Sequence, residues 1–170
     1  MKRTTVILLL LATTTILSAC GGGGGGSTPA ATTATIKIST QGTFPLGTLI
    51  GGINVTLVLP AGVTVKATPD PVNTSVLVTD SGVVISSGVA VSNSTILATY
   101  SAATSSVAGT VNIQIANPNG FVKGEFVTVS AGIATGNPTA SNFSLPSFAA
   151  VDLNGTPLGA LTATLVATIQ

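Results

Sequence analysis

The side chains able to do chemistry in this 170-residue chain are one cysteine, Cys20, four carboxylates, Asp70, Asp80, Glu125 and Asp152, and five cations, with no histidine at all. Without histidine, neither a Ser-His-Asp nor a Cys-His nucleophile can be assembled, and histidine-ligated zinc and iron are excluded with them. A paired-carboxylate glycosidase would have to use Glu125 with Asp152, Asp80 or Asp70, the carboxyl separation then setting the mechanism. Four carboxylates in so long a chain read more simply as turn caps and solvated strand ends. Serines abound, but no Ser-x-x-Lys spacing supports a Ser-Lys dyad. Asp152-Leu153-Asn154-Gly155 has the oxygen-donor spacing that opens a calcium loop, with Asp152 and Asn154 as its first ligands. Residues 156–161 supply no closing carboxylate, so the stretch reads as an Asn-Gly hairpin turn. No catalytic residue, metal or cofactor is expected.

The cysteine has a different chemistry. Lys2 and Arg3 precede an uncharged, largely apolar segment, 4–19, which ends in Leu17-Ser18-Ala19-Cys20 and is followed by six glycines. At 16 residues, broken by Thr13, Thr14 and Thr15, the segment is shorter than the roughly 20 apolar residues of a spanning helix and fits a cleaved signal. Leu17-Ser18-Ala19-Cys20 resembles the lipobox of bacterial lipoproteins at all four positions. That resemblance implies diacylglycerol on the Cys20 sulfur, cleavage before Cys20 and acylation of the new amino group. The alternative is an ordinary secretory signal with a cysteine at its cleavage point by chance, and against it stands the absence of any other cysteine in the chain. In lipoproteins of two-membrane bacteria, Asp after the acylated cysteine commonly signals inner-membrane retention. This chain has Gly21, which favours the outer membrane, on its periplasmic or surface side.

Once residues 1–19 are removed, Lys37, Lys66 and Lys123 face four carboxylates, a side-chain net of −1. Three scattered lysines cannot neutralise a phosphate backbone, so nucleic acid is excluded as a partner. Charged residues are 5% of the chain and hydrophobic ones 45%, enough to bury a core beneath a surface of Thr, Ser, Asn, Gly and Ala. With no tryptophan and one tyrosine, Tyr100, platforms for stacking on sugars are scarce. Phe44, Phe121, Phe126, Phe143 and Phe148 read mostly as core. The Asn-x-Ser/Thr sequons at Asn54, Asn73, Asn93, Asn142 and Asn154 reflect composition, and in a bacterial chain they predict no glycan.

Three segments follow from these patterns: a signal peptide, 1–19; the lipidated Cys20 with a flexible linker, 20–34; and one domain, 35–170. The linker's 14 residues after Cys20 span roughly 20 Å r.m.s. as a Gly-rich coil. In the domain the period is two. Ile53, Val55, Leu57 and Leu59 alternate with Asn54, Thr56 and Val58, and further strands are expected at 35–39, 63–65, 75–79, 83–85, 95–100, 110–116, 125–131 and 161–169. Reversals are expected at Pro60-Ala61-Gly62, Asp80-Ser81-Gly82, Asn117-Pro118-Asn119-Gly120 and Asn154-Gly155, and a short helical turn within 142–150. The fold class is all-β: a single sandwich of jelly-roll type with eight to ten strands.

The run from Gly51 through Val63, the segment Gly120-Phe121-Val122-Lys123-Gly124-Glu125-Phe126, and Phe143 leading to Asp152-Leu153-Asn154-Gly155 together resemble the cohesin-like domains. That resemblance implies a nine-stranded jelly-roll sandwich and non-catalytic binding, to a dockerin in the best-known members. The expected protein is a lipid-anchored binding or assembly module, held to the membrane through Cys20 and meeting a protein or polysaccharide partner. The alternatives are a structural surface protein, a carbohydrate-binding module or an envelope glycoside hydrolase.

Overall fold

A computed structural model describes residues 30–67, 75–77 and 82–170. The segment 4–19, Cys20, the glycine run, Asp70, Asn73 and Asp80 lie outside the described residues.

Among the described residues ten strands follow in order: β1 (Thr33–Gly42), β2 (Ile50–Leu59), β3 (Val63–Thr64), β4 (Ser75–Leu77), β5 (Val84–Ser86), β6 (Thr95–Ser101), β7 (Gly109–Phe121), β8 (Glu125–Ile133), β9 (Ser144–Asp152) and β10 (Leu161–Ile169). They form two antiparallel sheets. The first runs β10-β1-β8, with β3 and β5 both pairing along the far side of β8; the second runs β4-β6-β7-β2-β9. This is the all-β sandwich expected from the period of two.

The alternation explains the packing. Ile53, Val55 and Leu57 of β2 lie opposite Ile115, Ile113 and Val111 of β7, and all six point into the core. Ile36 and Ile38 of β1 close it from the other sheet. Burying one such side chain contributes about 1.5–3 kcal/mol, so a few opposed pairs decide which face of each strand turns inward. The period breaks once on β8. A bulge opposite the step from Ile38 to Ser39 inserts Phe126, so that Phe126 and Val127 are both wholly buried.

The turns divide into those placed as expected and those displaced. At Pro60-Ala61-Gly62 the Val63 N–H donates to the Pro60 carbonyl at 3.1 Å, with Gly62 at φ 79°. A Cβ at Gly62 would collide with the Thr135 carbonyl oxygen, so glycine is required there. At Asn117-Pro118-Asn119-Gly120 the chain does not reverse. Instead β7 continues to Phe121, and these four residues form a wide bulge facing Gly51 alone. Buried Asn117 holds it: its amide donates to the Ser92 carbonyl at 2.8 Å and to Ser94 Oγ at 2.9 Å, and its Oδ1 accepts from the Asn119 N–H at 2.9 Å.

The helical turn expected within 142–150 is also displaced. A short 3₁₀ turn, Ala140–Asn142, ends where that range begins, and Ser144–Asp152 is strand. The Thr139 N–H donates to Asn142 Oδ1 at 2.7 Å, closing the turn, and Pro146 cannot continue a helix.

Candidate functional site

The carboxylates in the described residues are each engaged locally. Asp152, at the end of β9, accepts at Oδ1 from the backbone N–H groups of Asn154 and Thr156, both at 2.8 Å. These bonds, that from Thr156 foremost, hold its carboxyl below the usual aspartate range. The turn is closed by the Gly155 N–H on the Asp152 carbonyl at 3.1 Å, with Gly155 at φ 81° and a single bridge between Val151 and Pro157. The Asn-Gly turn is therefore real, but it is a small local hairpin from which the chain crosses to the other sheet. Asp152 and Asn154 act in it as turn formers, and among the described residues no group of three or more His, Cys, Asp or Glu side chains could hold a metal ion.

Glu125 begins β8 on the first sheet, where its Oε2 meets Lys37 Nζ at 3.1 Å. Thr128 Oγ1 donates to Ser87 Oγ at 3.0 Å and lies 3.4 Å from the other carboxylate oxygen of Glu125. Hydrogen bonds from Ser87 and then Lys37 keep the Glu125 carboxyl below its ordinary value, outweighing partial desolvation. A glycosidase acid needs the reverse, a carboxyl held protonated near neutrality. The structure joins Glu125 to Lys37 and Asp152 to its own turn, and shows no bond between the two carboxylates.

What the tertiary structure does assemble is a trough on the outer face of the second sheet. Along β2 the inward residues are odd-numbered, so Gly52 and Asn54 point out; on β7, Gln114 and Ala116 do so, Leu97 on β6, and Ala149 and Val151 on β9. Strand register sets them side by side, with Gly52 between Ala116 and Val151, and Asn54 between Gln114 and Ala149. Small side chains on three adjacent strands leave a depression of about 390 Å³, flanked by Leu97, which is 46% exposed. Its lining is mostly apolar, with Asn54 and Gln114 supplying amides and no charged residue.

The next row along this face is polar and already bonded to itself. Ser147 Oγ donates to Thr56 Oγ1 at 2.7 Å, and Thr56 Oγ1 donates to Asn112 Oδ1 at 2.8 Å. The trough is thus bounded by a row whose hydrogen bonds are partly satisfied and by the bulge at Asn117. Sequence reasoning missed these residues because glycine and alanine carry no chemical signal. Their only trace is small outward positions on separate strands, and nothing local says that those strands adjoin.

The phenylalanines fall mostly as expected: Phe121, Phe126 and Phe143 are buried, and Phe44 and Phe148 pack against the core at its margins; Tyr100 is buried as well. Among the described residues no helix is long and apolar enough to cross a membrane.

No family model matches this chain, and no curated protein matches it. Among solved structures it is similar to a non-cellulosomal cohesin from the hyperthermophilic archaeon Archaeoglobus fulgidus, at 17% identity over 76% of this chain and 74% of that one, with a TM-score of 0.48.

Proposed function

We propose that this protein is a non-catalytic binding and assembly module, anchored by lipid at Cys20 in the bacterial envelope, which docks a protein partner on the outer face of β6, β7, β2 and β9. The observation that carries the reading is the trough: a concave, mostly apolar, uncharged depression of about 390 Å³ on an otherwise hydroxyl-rich sheet. Binding sites are characteristically concave and apolar, with a few polar groups that orient the ligand. Asn54 and Gln114 fill that role here.

The position of the trough suits a tethered module. β1 starts at Thr33, whose backbone bonds to Gln170, and Thr33 pairs with Gly132 of β8. Gly132 in turn pairs with β3, which follows directly from the end of β2. The start of β2, where the trough lies, is therefore at the end remote from the tether. A linker there would leave the trough at the end of the sandwich away from the membrane, within reach of a partner. The outer membrane is the favoured location, from Gly21 after Cys20.

The test uses the full chain as bait in envelope extract, beside Ala149→Trp, which fills the trough from a solvent-facing position. The expected result is a partner retained in about 0.5 M salt, because an uncharged surface gives salt little to screen, and lost with Ala149→Trp at unchanged melting temperature. Capture that persists with Ala149→Trp, or disappears steeply with salt, overturns the trough reading. Mass spectrometry of the mature protein checks the anchor: an unmodified Cys20, or a mature start at another residue, overturns it.

A further inference from the structure

The sandwich leaves its sheet edges in very different states. On β9, Pro146 lacks an N–H, and the pairing with β2 is interrupted between Thr56 and Val58. The far edge of the first sheet consists of two short pieces, β3 and β5, and the described part of β4 is three residues long. By contrast, β10 pairs with β1 over nine consecutive residues without a register shift, and Leu161–Ile169 contains no charge, proline or glycine. Long edges are normally blunted by such residues, because an open row of N–H and C=O groups invites another strand.

The direction of those groups follows from the register. Thr33 and Gln170 exchange both backbone hydrogen bonds, each at 2.9 Å. In an antiparallel ladder every second residue makes such an exchange, so even-numbered residues of β10 bond to β1. Ala163, Leu165 and Ala167 must then turn their N–H and C=O groups outward. Among the described residues no hydrogen bond reaches those edge-facing groups.

We propose that two copies of this chain pair antiparallel through the free edge of β10, about a two-fold axis at Leu165. The sequence of the edge is self-complementary in that register. Leu165 meets its own copy and Ala163 meets Ala167, so the outward-directed backbone groups fall on the hydrogen-bonded pairs. On the solvent face Thr164 meets Val166 and Thr162 meets Thr168, giving β-branched neighbours across the junction. Lys37, directly behind Val166 on β1, is paired with Glu125. No like charges on the strand oppose the approach. The first sheets of the two copies join into one continuous sheet, while the trough, on the other sheet of each copy, stays open.

The experiment is concentration-dependent hydrogen exchange, read amide by amide, with sedimentation of the full chain in a mild non-ionic detergent. The expected result is a dimer at high concentration, with Ala163, Leu165 and Ala167 amides slowed at least tenfold relative to the dilute protein while the amides of β9 are unaffected. Val166→Lys, at a side chain 66% exposed, should leave the fold intact and return the protein to monomer. Leu97→Lys, at the trough, should leave dimerisation unchanged, which separates this interface from the proposed partner site. A protein that stays monomeric, a dimer in which the three amides exchange as fast as in the monomer, or slowing that needs another protein, overturns the proposal. The wild-type exchange pattern decides the matter even if Val166→Lys misfolds.

Discussion

The two sheets have equivalent inner faces and contrasting outer ones. Inward, Ile36 and Ile38 of the first sheet and Val55, Leu57 and Ile113 of the second are equally and completely buried. Outward, the first sheet carries the Lys37–Glu125 pair with Thr128 and Ser87 beside it, whereas the second presents Gly52, Ala116 and Ala149 around an uncharged hollow. Core packing needs the same residue types on both sheets, since it only requires apolar volume. The outer faces are free of that demand. Their difference leaves an uncharged hollow on one sheet and a charged, hydroxyl-bearing surface on the other.

The largest effect should test the equivalence of the inner faces. Ile38→Asp in the first sheet and Ile113→Asp in the second each bury a carboxylate with no partner, and each should cost about 4 kcal/mol or more, enough to unfold a marginal domain. Circular dichroism and thermal melts check it. If only one substitution unfolds the protein, the two sheets do not share one core.

An intermediate effect should distinguish the two buried polar anchors. Asn117 in the second sheet makes three hydrogen bonds that hold its bulge. Thr40 in the first sheet exchanges bonds with Gly124 through one hydroxyl, accepting from the Gly124 N–H at 3.0 Å and donating to its carbonyl at 3.3 Å. Asn117→Ala should destabilise by about 2–3 kcal/mol and Thr40→Val by about 1–2 kcal/mol, in chemical denaturation. Equal losses would mean that the bulge beside the trough is held by its neighbours and not by Asn117.

The smallest effect concerns the carboxylates, Glu125 on the outer face of the first sheet and Asp152 at the end of β9 in the second. Glu125 and Asp152 have folded-state affinities for protons below their ordinary values of 4.5 and 3.8. Such depressed carboxylates stabilise the fold above those values, and the contribution is lost as pH falls through the lower folded ones. The melting temperature should be flat above about pH 5 and decline below about pH 4. Lys37→Met removes one cause of the Glu125 shift and, as an exposed pair is lost, should change stability by no more than about 0.5 kcal/mol near neutrality while shallowing the acid decline. A large loss at neutral pH would make the ion pair structural.

The parts of the fold that were legible in the sequence are those governed by local alternation. β2, β6, β8 and β10 lie where the period of two put them: β2, β6 and β8 commit one face to the core, and β10 keeps a regular alternation in which Ala163, Leu165, Ala167 and Ile169 pack against its margin. β9 was not legible: Leu145 and Phe148 are only partly buried, Ser147 and Pro146 interrupt them, and an edge strand needs less apolar regularity than a central one. The bulge in β7 was hidden for a related reason. Asn-Pro-Asn-Gly is a sound reversal signal locally, but the amide of Asn117 finds its partners at Ser92 and Ser94, more than twenty residues away.

The sequence by itself determined the class of fold, the inward face of the principal strands, the poverty of catalytic groups and the resemblance of Leu17-Ser18-Ala19-Cys20 to a lipobox, because each depends on residue type or on spacing within one segment. The tertiary structure alone decided which strands adjoin, and with them the trough at Gly52, Ala116 and Ala149, the engagement of Glu125 with Lys37, and the open edge of β10. These are properties of register between distant segments. Register is set by the summed burial of whole faces and not by any residue that forms the site, so the site's own residues do not announce it.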